Sequence, residues 1–180
     1  MARITPLNID QTDATTAATL KGVQAKLGMV PNLLTTMAHT PAALNGYLQL
    51  AEALSRGSLT LRQRELIAIA VAQENGCAYC LSAHAVTGRS AGLTEGDIDQ
   101  ARHGLAADPT GAAIIDFALR VVRNRGAISD GEIAAARQAG LTDSQIIEIV
   151  ANVALNVMTN YTNRVADTVI DFPVVQLAAA

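Results

Sequence analysis

The chain has 180 residues, enough for one domain with a sizeable core. Half of its residues are hydrophobic, 16% are charged and only 3% are aromatic, so Ala, Leu, Ile and Val must form a core of closely packed helices. The formal charge of −3 leaves no basic patch to neutralise phosphates, and we expect no nucleic-acid partner.

Caps, breakers and apolar spacing predict helices along the whole chain, with no run of alternating strand residues. An extended lead-in up to Asp10 precedes them. The predicted helices cover residues 12–27, 31–37, 42–56, 61–74, 77–88, 94–103, 109–125, 129–138 and 142 to about 169. We therefore predict an all-α fold, in which residues 1–30 form an N-terminal segment packed on a helical domain of residues 31–180.

Two of these helices are apolar on nearly every side, over residues 66–72 and 146–158. Such helices belong in the core or in a subunit interface, so we expect a homo-oligomer. A shift of 82 positions aligns Thr60 and Gln63 with Thr142 and Gln145, within a longer set of matches. This match indicates a diverged helical duplication, in which only the first copy carries cysteines.

The densest group of reactive side chains is formed by Cys77, Cys80 and His84. Positions i, i+3 and i+7 of a helix fall within about 60° of one another, so the three side chains share one face. No apolar run reaches the roughly 20 residues of a membrane span, and the N-terminus lacks the apolar centre of a secretory signal. We therefore expect a cytoplasmic protein with no membrane contact, where a close cysteine pair is typical of redox or metal chemistry.

A cysteine pair three residues apart in a helix can close a small disulfide, and its thiolate attacks peroxides or disulfides. The helix N-terminus lowers a cysteine pKa, which favours Cys77 as the nucleophile. His84 can exchange protons beside the sulfur, and Glu65, at the edge of the preceding apolar helix, is the candidate carboxylate that orients it.

Two other interpretations of the cysteine pair remain open at this point. The cysteines can be inert core residues, or they can bind zinc with His84 and a fourth ligand such as His39, His103 or Glu65. We favour surface positions for His39 and His103, because both lie near helix ends. We assign no metal ligand and no cofactor.

Glu65, eleven intervening residues and Cys77-x-x-Cys80-x-x-x-His84 resemble the alkylhydroperoxidase D-like (AhpD-like) branch of the carboxymuconolactone decarboxylase family. The resemblance implies an all-helical fold that assembles into dimers, trimers or hexamers and reduces hydroperoxides with thiols. By this resemblance Cys80 attacks the peroxide, Cys77 resolves the product to a disulfide, and Glu65 and His84 relay protons. For the first attack we follow this resemblance, although the position of Cys77 at the helix N-terminus favours Cys77. Tyr79 stands where the best-known peroxidases of the family have a histidine.

We therefore expect a thiol-dependent peroxidase, an oxidoreductase that takes a hydroperoxide substrate and a dihydrolipoyl or thioredoxin-like thiol reductant. The alternatives are a disulfide oxidoreductase with little peroxidase activity and a non-catalytic, zinc-stabilised helical oligomer.

Overall fold

The computed structural model describes residues 2–178, and within them every regular element is a helix. A short 3₁₀ turn at Ile9–Gln11 precedes the α-helices. These are α1 Ala14–Leu27, α2 Asn32–Met37, α3 Pro41–Ser55, α4 Leu61–Glu74, α5 Ala78–Ser90, α6 Glu95–Arg102, α7 Pro109–Arg123, α8 Asp130–Gln138 and α9 Asp143–Ala166. The all-α prediction is confirmed.

Helix α4 is the centre of the molecule, as its apolar sequence predicts. All residues from Leu66 to Ala72 are buried, and α4 packs against α5, α6, α7 and α9. Leu66 and Ile69 face a core shared with α1, α2, α5 and α6, whereas Ile67 and Val71 face a second core shared with α7, α8 and α9. One helix therefore joins two hydrophobic cores.

Side-chain caps fix where several helices begin. Thr60 and Gln63 form a reciprocal capping box at the start of α4, as predicted, and Thr142 and Gln145 form the same box at the start of α9. The two boxes occupy matching positions of the predicted duplication. However, α9 continues unbroken for 24 residues where the first copy is divided into α4 and α5. The duplication itself stays a prediction.

Helix α9 differs from its prediction in two ways. It ends at Ala166 rather than near residue 169, because Asp167 takes a left-handed conformation with a φ of 52° and donates its backbone N–H to the Asn163 carbonyl. In addition, the apolar side chains of α9 are not all buried. Asparagines are buried on one side of the helix, whereas Ile147 and Val165 are 68% and 64% exposed on the other.

The segments at both ends of the chain pack on the helices. Near the N-terminus, the backbone N–H of Leu7 donates to the Thr35 carbonyl, and Leu20 of α1 is fully buried. After α9, residues 167–178 cross α2 and α5 without regular secondary structure. We call residues 167–178 the C-terminal tail. The domain boundary at residue 30 stays a prediction, and no helix among residues 2–178 is long and apolar enough to span a bilayer.

Candidate active site

The turn between α4 and α5 positions the cysteine pair. Gly76 adopts a φ of 63° and donates its N–H to the Gln73 carbonyl, while Cys77 donates to Ala72, so α4 ends in a Schellman motif. Cys77 is at the same time the N-cap of α5, and its Sγ accepts the N–H of Cys80 at 3.2 Å. The predicted helix therefore begins one residue later, at Ala78.

The two cysteines form a disulfide, with their Cα atoms 5.4 Å apart. Cys77 and Cys80 are only 1% and 2% exposed, so neither sulfur lies on the outer surface. Cys80 lines a cavity of about 740 Å³, whereas Cys77 packs behind it in the core. The two sulfurs therefore differ in their access to a small molecule.

His84 and Glu65 also line this cavity and form a direct pair. Glu65 Oε2 lies 2.9 Å from His84 Nδ1 and accepts a second hydrogen bond from Thr87 Oγ1 at 2.6 Å. A carboxylate only accepts hydrogen bonds, so Nδ1 carries the proton and Nε2 is left to exchange protons. The pairing expected for Glu65 is present.

The charges around Glu65 keep it ionised despite burial. Burial alone raises the pKa of the Glu65 carboxyl, but the charge and hydrogen bond of His84, the Thr87 hydroxyl and the Arg64 charge outweigh it. The net pKa lies below the usual value. Burial raises the pKa of the nearby Tyr47 phenol, and the Glu65 charge raises it further, so this residue remains a neutral part of the cavity wall.

Helix α9 forms the cavity wall opposite α5 with a row of polar side chains. The row consists of Asn152, Asn156, Thr159 and Asn163, spaced so that they share one helix face. The first three each donate a hydrogen bond to the backbone of their own helix. Asn163 instead donates from Nδ2 to Cys80 Sγ at 3.2 Å.

The C-terminal tail closes a further side of the cavity. Phe172 lines it and packs edge-on against Tyr79, with ring centroids 5.7 Å apart. The tail is held by Asp171 Oδ2, which accepts the N–H of Asn32 at 2.7 Å, and by the N–H of Val175, which donates to Ser82 Oγ at 3.0 Å.

Tyr79 packs in the core between α5 and α2. It is 4% exposed, and its hydroxyl oxygen accepts the N–H of Leu33 at 3.1 Å. Burial raises the pKa of this phenol far above its usual value, so it remains neutral. The residue between the cysteines therefore joins α5 to α2.

The remaining histidines lie away from the cysteines. His39 and His103 are both exposed and bond to backbone carbonyls, of Thr5 and Asp99 respectively. Across residues 2–178 no three or more His, Cys, Asp or Glu side chains are grouped so that they could hold a metal ion.

Three parts of the cavity were not predicted from the sequence. Thr87 lies one helical turn beyond His84, and a hydroxyl on the same helix face indicates a second hydrogen-bond donor beside His84. The α9 asparagines recur at helical spacing inside an apolar sequence, which is a second signal. No local pattern indicates that Phe172 packs on Tyr79.

Comparison with known proteins relates part of this chain to a known family. Residues 41–124 match the model of the Carboxymuconolactone decarboxylase family. The chain is also similar to the crystal structure of the alkylhydroperoxidase AhpD core, an uncharacterized peroxidase-related protein from Ralstonia eutropha JMP134. The two share 27% identity with a TM-score of 0.86, over 94% of this chain and 92% of that one. The chain therefore has the AhpD-like fold, and residues 41–124 are similar to the Carboxymuconolactone decarboxylase family.

Other solved structures share the AhpD-like fold. An uncharacterized peroxidase-related protein from Silicibacter sp. TM1040 has 26% identity and a TM-score of 0.80, covering 92% of this chain and 91% of its own. The debrominase Bmp8 has 19% identity and a TM-score of 0.78, with 93% and 91% coverage, a likeness in fold alone. No curated protein sequence matches the chain.

Proposed function

We propose that this AhpD-like protein is a thiol-dependent peroxidase that reduces organic hydroperoxides through Cys77 and Cys80. The observation that carries the proposal is that Cys80 lines the same cavity as His84 and Glu65. Cys80 also forms a disulfide with Cys77 in a Cys-x-x-Cys sequence, a spacing that suits reversible redox chemistry. Two structural neighbours described as peroxidase-related proteins support the same chemistry.

In the proposed reaction the Cys80 thiolate attacks the distal oxygen of the hydroperoxide. His84 Nε2 first accepts the proton of the Cys80 thiol. An S–O bond then forms, the O–O bond breaks, and the alkoxide that leaves takes this proton back from His84 to become an alcohol. The access of Cys80 to the cavity, and the position of Cys77 behind it, support this order over attack by Cys77. Glu65 orients His84 and stabilises its cationic form.

The catalytic cycle closes in two further steps. The Cys77 thiol attacks the sulfenic acid on Cys80, releases water and forms the disulfide. A dithiol then reduces the disulfide and is itself oxidised, so one hydroperoxide and one dithiol give one alcohol, one water and one oxidised dithiol. Because both sulfurs are buried, the cavity favours a dihydrolipoyl group on a slender arm over a thioredoxin-like protein surface as the donor.

The same burial weighs against the alternative of a general disulfide oxidoreductase. Exchange with a protein disulfide requires the partner's sulfur to meet Cys77 or Cys80 in line, and neither is on the outer surface. A hydroperoxide needs only to enter the cavity.

We also propose that the protein self-associates through the outer face of α9. Four apolar side chains there are exposed, namely Ile147, Val150, Tyr161 and Val165 at 68%, 41%, 53% and 64%. An apolar stripe of this length on one helix face fits a second copy of the same chain.

The test of the function follows peroxide consumption with a dithiol donor in Cys80→Ser and Cys77→Ser proteins. We expect Cys80→Ser to abolish turnover, because no thiolate reaches the cavity. Cys77→Ser should form a trappable sulfenic acid once and then stop. Full multiple turnover in Cys80→Ser contradicts the proposal. Oxidation by a protein disulfide that outpaces oxidation by hydroperoxide favours the oxidoreductase instead.

A further inference from the structure

Asn163 is the one polar side chain in residues 2–178 that donates a hydrogen bond to a cysteine sulfur from another helix. The residue is 4% exposed and lies 83 positions along the chain from Cys80. A disulfide sulfur carries no hydrogen, so only the amide NH₂ can make this contact, and the orientation of the amide is fixed by it. Asn163 lies outside residues 41–124, the part that matches the family model.

The other end of the same amide has no partner. Asn163 Oδ1 is buried and accepts no hydrogen bond, although the residue lines the cavity beside Cys80. A buried carbonyl oxygen without a donor is costly, and such groups are rare outside binding sites. The neighbouring Asn152 and Asn156 donate from Nδ2 to the α9 backbone. Within the row of polar side chains on this face of α9, Asn163 Oδ1 is the one fully buried oxygen without a donor.

We propose that Asn163 is a catalytic residue of the peroxidase reaction, with Nδ2 stabilising the Cys80 thiolate and Oδ1 accepting the hydroperoxide O–H. This inference rests on the proposed function and adds the group that holds its substrate.

Both Nδ2 and Oδ1 of Asn163 can assist the attack of the Cys80 thiolate on the hydroperoxide. A thiolate is a stronger hydrogen-bond acceptor than a thiol, so the N–H contact favours the reactive form. A hydroperoxide that donates its O–H to Oδ1 brings its distal oxygen beside Sγ, because the two arms of one amide are adjacent. The thiolate lone pair then forms the S–O bond, the hydroxyl stays on sulfur as sulfenic acid, and the alkoxide leaves.

Other titratable groups share the cavity but do not hydrogen-bond Cys80 Sγ. They come from every wall: Lys26 of α1, Tyr47 of α3, Arg64 and Glu65 of α4, Tyr79 and His84 of α5, and Asp171 of the tail. They remain unchanged when Asn163 is replaced. A change in thiol titration therefore reports on Asn163.

The experiment measures the alkylation of Cys80 by iodoacetamide against pH in a Cys77→Ser background. Asn163→Leu keeps the volume without polar atoms, and Asn163→Asp keeps the shape but adds a negative charge. We expect the rate below the thiol pKa to fall about tenfold in Asn163→Leu and further in Asn163→Asp, because a charge-assisted hydrogen bond is lost. Asn156→Ala, on the same helix face but bonded only to its own helix, should leave the titration unchanged.

The second arm measures sulfenic acid formation against hydroperoxide concentration by stopped flow. With rates corrected for the thiolate fraction, Asn163→Leu should still react at least tenfold more slowly at low peroxide, because the O–H acceptor is gone. An unchanged alkylation profile overturns the thiolate role, and an unchanged corrected rate overturns the peroxide role. If the Cys77→Ser parent forms no sulfenic acid, the peroxidase function fails, while the alkylation arm still decides the Asn163 contact with the thiolate. Thermal unfolding checks that each variant is folded.

Discussion

Replacement of Glu65 by Gln tests the proton relay most directly. Gln has the same shape and can still bond to Thr87, but it removes the negative charge that faces His84. A hydrogen bond to a charged group contributes about 1.5–3 kcal/mol against about 1 kcal/mol for a neutral one. The difference, about 0.5–2 kcal/mol in the state with cationic His84, corresponds to a decrease of about 2- to 30-fold in kcat/KM.

The assay is the steady-state reduction of cumene hydroperoxide with a dithiol donor at pH 7. Glu148→Gln is the matched control, since Glu148 is also a carboxylate on a helix but accepts the backbone N–H groups of Ser58 and Leu59, away from the cavity. We expect the control to keep the parent kcat/KM. If Glu65→Gln also keeps it, the relay is refuted, because the buried charge would then have no effect on the reaction.

The same variant has a pH-dependent effect on stability. The folded-state pKa of Glu65 lies below the usual value of 4.5, so its ionisation stabilises the fold above that pH, and the contribution is lost as the pH falls through the folded pKa. Glu65→Gln should be less stable than the parent at pH 7, and the difference should shrink at pH 4. Urea unfolding at the two pH values measures it. The other carboxylates titrate in both proteins, so their contributions cancel in the difference between the two unfolding free energies. An equal difference at both pH values contradicts the reasoning.

Three further substitutions test the surrounding structure. Gly57→Ala places a Cβ 2.5 Å from Glu148 Oε2, so it should cost about 1–3 kcal/mol of unfolding free energy in the parent but almost nothing in a Glu148→Ala background, measured as a double-mutant cycle in urea. Phe172→Ala removes the edge-on contact with Tyr79 and should lower stability by about 1–2 kcal/mol in the same assay; no change would mean that the tail does not hold the cavity wall. Val165→Asp should reduce the oligomer seen by light scattering to a monomer, and an unchanged mass would exclude the outer face of α9 as the interface.

Patterns in the sequence predicted those parts of the site whose residues lie close together along the chain. The spacing of Cys77, Cys80 and His84 needs only one helix, and the apolar run after Glu65 predicted that this carboxylate is buried and paired. Both features follow from helical periodicity and from the cost of an unpaired buried charge. The capping box at Thr60 was predicted for the same reason, since its two partners lie three residues apart.

Contacts between distant parts of the chain were not predicted. Asn163 meets Cys80 only because α9 and α5 pack against the same central helix, and no periodicity within α9 specifies that neighbour. The apolar sequence of α9 predicts a helix in the core or in a subunit interface, although its asparagines mark a polar face. Phe172 lies in a segment without regular secondary structure, where no repeating pattern indicates which surface the chain will contact.

The separation of these contacts along the chain has a consequence for folding. The cysteines lie 3 residues apart, whereas the bonds that build the cavity join residues as far apart as Asn32 and Asp171, a separation of 139. Closing long loops costs entropy before their contacts form, so the cysteine helix should become ordered earlier than the wall around it. A chain at that stage has thiols that any small oxidant can reach. In the proposed peroxidase, selectivity for the hydroperoxide therefore arises late in folding, when α9 and the C-terminal tail enclose the cysteine pair.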